Sequence, residues 1–139
     1  MPNPSIDALT EINPLHVATA TEPQSQPFIV LQGAPVGANY PGRFFVRVQY
    51  FNAVQASGSG TWTFSALLSY TRGASWVSNV SGAVITLTAT AQYGEQTLQI
   101  TPSGSTVNET GQLWVMVIAT LGGSPTTPTI AYRADLVTM

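Results

Sequence analysis

Between Gly42 and Thr101 the chain contains no proline, although seven of its ten prolines lie at or before residue 41. Proline has no backbone N–H to give to a sheet ladder, so it is confined to edges, bulges and irregular chain. The proline-free block is rich in Val, Thr, Phe, Tyr and Trp, the residues that suit a pleated, half-buried surface. Within it Trp62, Phe64, Ala66, Leu68 and Tyr70 alternate with Thr61, Thr63, Ser65, Leu67 and Ser69. Period-two alternation sends successive side chains to opposite faces, which predicts a strand with one apolar face and one mostly polar face. No window shows a persuasive stripe at helical spacing. The nearest case, Ile6, Leu9, Ile12 and Leu15, is cut short by Pro14.

Further strands follow from the same pattern. Phe44, Val46, Val48 and Tyr50 oppose Phe45, Arg47, Gln49 and Phe51. Ile85, Leu87 and Ala89 oppose Val84, Thr86 and Thr88, and Leu98 and Ile100 point inward from a short strand over 96–101. Ile130, Tyr132, Ala134 and Leu136 oppose Ala131, Arg133, Asp135 and Val137. The run from Leu113 to Thr120 is apolar on both faces and predicts a central strand. Residues 28–32 and 75–80 are shorter candidates. Turn chemistry is expected at Ala56-Ser57-Gly58-Ser59-Gly60, Arg72-Gly73, Ser81-Gly82, Tyr93-Gly94, Thr101-Pro102-Ser103-Gly104 and Leu121-Gly122-Gly123-Ser124-Pro125. About eight strands in 139 residues predict an all-β chain, a single antiparallel β-sandwich of jelly-roll or immunoglobulin-like winding. A chain of this length buries roughly 65–70% of its unfolded surface.

Proline and charge both set the start of the chain apart. Asp7, Glu11 and Glu22 give residues 1–26 a net charge of −3. Arg43, Arg47, Arg72 and Arg133 against Glu95, Glu109 and Asp135 give residues 27–139 a net charge of +1. The expected organisation is an extended, Pro-rich, acidic arm over 1–26 and a sandwich domain over 27–139. An apolar arm gains from order only by burying its side chains elsewhere, since ordering each residue costs about 1–2 kcal/mol. Ile6, Leu9, Ile12, Leu15 and Val17 are the expected anchors against a partner surface.

Only 7% of the residues are charged, against about 25% in average proteins, and there is no lysine and no cysteine. That composition excludes most chemistry. A hydrolytic triad would need His16, the single histidine, which lies in the arm and reads as a solvated or interface residue. Glu95 and Glu109 read as loop carboxylates rather than a glycosidase pair. One histidine and no cysteine leave no standard zinc site, and no cofactor is expected. Gly58-Ser59-Gly60 lacks the lysine of a phosphate-binding loop. Four arginines cannot form the basic stripe that nucleic acid requires. No apolar run reaches the length of a membrane helix, and residues 1–7 carry no secretion-signal pattern. The chain is therefore expected to be non-enzymatic, without nucleic-acid or membrane partners. Trp62 and Trp114 read as core residues. Trp76, Tyr93 and Tyr40 lie near predicted loops and are candidates to stack on a sugar ring.

In size, composition and layout, a Met-initiated β-sandwich free of lysine and cysteine, with an N-terminal arm, resembles the small virion structural proteins of tailed bacteriophages. The decoration, or cement, type is the nearest in kind. The resemblance spans the whole chain but rests on no signature motif, so no residue carries over from it. It implies a protein made in the host cytoplasm and placed on the virion. There it would bind the major capsid protein through its arm and form a homo-oligomer, a trimer being favoured. A glycan-binding or adhesion module, such as a fibre head or carbohydrate-binding domain, is the alternative, and a tail or neck component is another.

Overall fold

A computed structural model describes residues 10–23, 44–69, 74–101 and 114–137. These residues form eight strands: β1 (Thr10–Ala18), β2 (Phe44–Val54), β3 (Ser57–Ser69), β4 (Val77–Ser81), β5 (Ile85–Thr86), β6 (Gln92–Ile100), β7 (Trp114–Thr126) and β8 (Thr129–Val137). Every pairing among them is antiparallel. The first sheet has the order β1-β8-β2-β6. In the second sheet β3 is central, with β7 along one side and β4 and β5 end to end along the other. Thus β1 lies beside β8, β2 beside β6, and β3 beside β7. The order β1-β8-β2-β6, which sets the last strand between the first two, suits jelly-roll winding, whereas an immunoglobulin-like fold would pair its first two strands.

The alternation read from the sequence sets which faces meet. Val46, Val48, Leu98, Ile100, Ile130, Tyr132 and Ala134 project inward from the first sheet. They meet Trp62, Phe64, Ala66, Leu68, Val115, Val117 and Ala119 from the second. At the centre, the Phe64 ring lies 4.8 Å from that of Tyr132 and 5.9 Å from that of Tyr50, both tilted. Tilted aromatic pairs at such separations add about 0.5–1.5 kcal/mol beyond the area they bury.

β7 is apolar on both faces for a reason other than central position. Its inward residues join the main core, while Met116 and Ile118 form a second cluster with Leu67 on the outside of the second sheet, against which Trp76 packs. Among the described residues, β7 has β3 as its ladder partner and no other. Trp62 is fully buried, as expected, while Trp114 is half-buried at the start of β7.

Three expectations give way. Residues 10–18 are not an arm outside the sandwich. They form β1, paired with β8 from Thr10↔Leu136 to Ala18↔Ile130, and Ile12 is fully buried in the core. The sandwich therefore begins before residue 27. Second, the glycine-rich segments near 58 and 123 are not turns but the paired ends of β3 and β7, with Gly60 opposite Gly123. A Cβ on Gly123 would run into the Ser59 carbonyl oxygen, and one on Gly58 into that of Ser124. Gly123 has a φ of 76° and Gly58 a φ of 95°, so glycine is required at both by close approach and by backbone. Third, Gly94 lies inside β6 opposite Tyr50, where a Cβ would meet the Tyr50 hydroxyl at 2.6 Å. The strand expected over 83–90 shrinks to Ile85–Thr86, and the candidate over 28–32 lies outside the described residues.

Gly123→Ala should destabilise the protein by roughly 2–4 kcal/mol in chemical denaturation, because the obstructing atom is backbone. A loss within about 0.5 kcal/mol, the scatter of neutral surface substitutions, would show that the two strand ends can part freely.

Candidate functional site

A strand that ends a sheet leaves a row of N–H and C=O groups unpaired. On β7 that row is formed by Val117, Ala119 and Leu121, and groups from residues 13–22 fill it. Asn13 Nδ2 donates to the Val117 carbonyl at 2.8 Å, and Val117 N–H donates to Asn13 Oδ1 at 3.3 Å. Ala119 N–H donates to Glu22 Oε1 at 2.9 Å, and the Glu22 N–H donates to the Ala119 carbonyl at 3.0 Å. Leu121 N–H donates to Thr21 Oγ1 at 3.1 Å. Asn13 reaches β7 because the β1 register shifts on both sides of it, while Pro14, which follows, is tolerated in an edge strand. The seam between the two sheets is thereby closed by side chains standing in for a strand.

Glu22 gathers the titratable groups of this seam. It is only 7% exposed. Its Oε1 accepts the Tyr132 hydroxyl proton as well as Ala119 N–H, and its Oε2 faces His16 Nε2 at 2.8 Å. The other ring nitrogen of His16, Nδ1, faces the Pro14 carbonyl at 2.9 Å. A carbonyl and a carboxylate both accept, so the doubly protonated imidazolium satisfies both contacts at once. Partial burial by itself lowers the His16 pKa. The hydrogen bond to Glu22, the bond to Pro14 and the adjacent negative charge together outweigh burial and raise it above the ordinary 6.5. Burial first, and then the Glu22 charge, hold the Tyr132 proton far above the usual phenol range. The His16 and Tyr132 rings are in contact, with centroids 4.4 Å apart. A carboxylate enclosed by three donors and a histidine held between two acceptors form an internally paired network. The sequence alone places both residues in a solvated arm. The pairing of His16 with Glu22 across six residues is a contact that hydrophobic periodicity does not reveal.

The opposite seam is closed in the same manner. Gln92 Nε2 donates to the Thr86 carbonyl at 2.8 Å and Gln96 Nε2 to the Ala83 carbonyl at 3.0 Å. Asn79 Oδ1 accepts the Thr101 N–H at 3.1 Å, and its Nδ2 donates to the Thr101 carbonyl at 3.0 Å. At the corner between β2 and β3, the buried Gln55 donates to the Gly58 and Leu87 carbonyls at 2.7 and 3.0 Å, and accepts Gly60 N–H at 2.8 Å.

On the outer face of the first sheet several apolar side chains are exposed. Leu15 is 60% and Val17 64% exposed on β1, Phe51 is 42% exposed on β2, and Tyr93 is 79% exposed on β6. Val17 and Phe51 both pair with Ala131 of β8, and Tyr93 faces the bulge that follows Tyr50, so Val17, Phe51 and Tyr93 form one row across the sheet. In the adjoining row Gln49 lies between Arg133 and Glu95. Asp135, expected as a strand carboxylate, is fully buried and held by Arg133 through two bonds of 3.1 and 3.2 Å.

The five expected arm anchors are thus divided: Ile12 is in the core, Leu15 and Val17 are exposed, and Ile6 and Leu9 lie outside the described residues. Of the expected stacking aromatics, Tyr93 is open, Trp76 is packed on the outer cluster rather than presented to a ligand, and Tyr40 lies outside the described residues. Glu95 is exposed on β6, not in a turn, and accepts a 3.3 Å bond from Gln49; Glu109 lies outside the described residues. Among the described residues no cluster of His, Cys, Asp or Glu could hold a metal ion, and no helix is long and apolar enough to cross a membrane.

No protein-family model matches the chain, and no curated protein matches it. Among solved structures it is similar to the CBM22-1 xylan-binding domain from Paenibacillus barcinonensis Xyn10C, at 13% identity and a TM-score of 0.39, over 97% of this chain and 89% of that one. A likeness at that level transfers neither residues nor ligand.

Among the side chains, His16 is the one whose ordinary pKa lies between about pH 6 and 9, since the chain has no other histidine and no cysteine. With its pKa raised on folding, the contribution of His16 is complete below pH 6.5 and is lost as pH rises through the folded-state value. Stability should therefore fall as the solution goes from mildly acidic to alkaline. Glu22→Gln should flatten that slope in denaturation curves collected across the range. An equal slope in the variant would remove the ion pair as its cause.

Proposed function

We propose that this chain is a non-enzymatic structural protein whose work is contact, and that it decorates the shell of a virion by binding the major capsid protein. The observation that supports this reading is how the charged side chains are used. Glu22, His16, Arg133 and Asp135 are engaged in internal pairs, while Leu15 and Val17 project from β1 with most of their surface open. A protein that acts on a small substrate keeps polar groups convergent in a cleft. Here the exposed apolar side chains lie on the outer side of a sheet rather than in a cleft, which suits a partner that is itself an extended surface. In this reading the contact is made by the outward side of β1 together with whatever residues 1–9 add, and Ile12 contributes to the fold.

Replacing both Leu15 and Val17 with serine should weaken co-sedimentation with capsids of the virus that carries this protein by about tenfold or more, with the thermal melt little changed. Unchanged co-sedimentation would take β1 out of the contact. If the wild-type protein does not co-sediment at all, the decoration reading fails.

A carbohydrate-binding role is the second reading, and Tyr93 favours it. At 79% exposure, beside Phe51 and near Gln49 and Glu95, it offers a ring face with amide and carboxylate groups in reach. Titration with a panel of soluble oligosaccharides should then shift the Tyr93 and Phe51 ring resonances first. Resonances that stay in place across the panel exclude this reading.

A further inference from the structure

We infer that Tyr93, Phe51, Glu95 and Gln49 form a binding site for a sugar that carries a free amine, a glucosamine residue within a glycan. This rests on the carbohydrate reading above and narrows its ligand.

Strands β2 and β6 carry these four side chains as a two-by-two block. Gln49 pairs with Glu95, and in the next row Phe51 and Asn52 stand opposite Tyr93, between the pairs Tyr50↔Gly94 and Ala53↔Gln92. Two residues facing one is a bulge, and Asn52 takes the positive φ, 52°, that goes with it. Alternation puts Gln49, Phe51, Tyr93 and Glu95 on the outer face of the first sheet. Neighbouring strands lie about 4.8 Å apart and alternate residues of one strand about 7 Å apart, so the block has the extent of one sugar ring. Tyr93 is the most exposed of the large hydrophobic side chains described, and Phe51 beside it is also open. An aromatic face takes the C–H side of a sugar ring, and it also attracts a cation held over it.

The charge of the block selects among sugars. Glu95 is exposed and, among the described residues, forms no ion pair, whereas Asp135 on the same face is buried against Arg133 and Glu22 is engaged by His16. Arg47 lies in the row beyond Gln49, opposite Asp135 and Thr97, with its Nε buried. Across the face Glu11, Glu95 and Asp135 stand against Arg47 and Arg133, three acids to two cations, so a positively charged ligand is not repelled. Gln49 Nε2 donates to Glu95 Oε2 at 3.3 Å, which leaves Glu95 Oε1 and the Gln49 carbonyl as acceptors beside the two rings. An ammonium group brings three donors to such a pair, where a hydroxyl or an acetylated amine brings one. Hydrogen bonds between ionised partners are also the stronger ones. A lysine side chain offers the same ammonium but has no ring face to cover Tyr93 and Phe51 together, so the amino sugar fits the block better.

Titrations followed through the Tyr93 and Phe51 ring resonances, in mildly acidic buffer where the amine is charged, compare a glucosamine tetramer with an N-acetylglucosamine tetramer and cellotetraose. The glucosamine tetramer should bind roughly tenfold more tightly than either of the others. Most of that advantage should disappear in about 0.5 M salt, which screens an exposed charge pair. Glu95→Gln should bring the three tetramers within about twofold of one another by removing the charge-assisted bond. Tyr93→Ala should weaken the glucosamine tetramer roughly tenfold by removing the ring face, with the thermal melt little changed. Equal binding of the three by the wild-type protein, or a preference that survives Glu95→Gln, overturns the inference while the carbohydrate reading stands. Silence toward all three overturns both. A lysine-rich peptide that binds as tightly as the glucosamine tetramer also overturns it, by assigning the site to the ammonium groups of a protein.

Discussion

Asn13 makes two hydrogen bonds to Val117, and the closing of the sandwich turns on them. An unpaired backbone group in a dry place costs about 1–3 kcal/mol, so a strand edge at a buried seam must find partners. β7 finds them in side chains. Asn13 imitates a neighbouring residue's backbone, with one donor and one acceptor at the right spacing, and Glu22 and Thr21 continue the row. For Asn13 to reach across, β1 must bulge, and its place at the edge of its own sheet leaves it room to do so. For Glu22 to sit at Ala119, the chain must turn back after Ala18. Position, bulge and return are thus set by one row of backbone groups.

This dependence also gives the low charge a physical meaning. A sandwich built from two sheets has two open sides, and both are sealed here by amide side chains: Asn13 on one, Gln92, Gln96 and Asn79 on the other, with Gln55 at the corner. Amides carry a donor and an acceptor without a net charge, so they replace ladder bonds without the desolvation cost of an ion. The carboxylate admitted to a seam, Glu22, is enclosed by Tyr132, His16 and Ala119 N–H. Apart from that site these seam contacts are made by uncharged groups, and Arg133 and Asp135 pair on the outer side of the first sheet.

The strands and their faces were legible wherever one side of a strand is core. Trp62, Phe64, Ala66 and Leu68 point inward as period two requires, and so do Ile130, Tyr132 and Ala134. What the pattern hid were contacts between segments far apart in the chain. Glycine at 58, 94 and 123 looks the same in a turn as where another backbone or a ring comes too close for a side chain. Apolar residues on both faces of β7 looked like a central strand, because a second cluster with Trp76 hides the outer face as well as a neighbouring sheet would. Pro-rich, acidic residues 10–23 looked like an arm, because neither Asn13 nor Glu22 advertises a partner a hundred residues away. On the candidate site, Tyr93 near a loop was expected to be open and is, while the row it shares with Phe51 and Val17 depends on strand order and was not legible.

Amide hydrogen exchange at Val117 and Ala119 tests the seam most directly. These N–H groups belong to a strand whose ladder neighbour among the described residues lies on one side, yet each donates to a buried side chain. The account predicts exchange as slow as that of the core amides of β3, through global unfolding, with Asn13→Ala releasing Val117 by several orders of magnitude more than it releases β3. Exchange at Val117 and Ala119 as fast as at an open strand edge would contradict it.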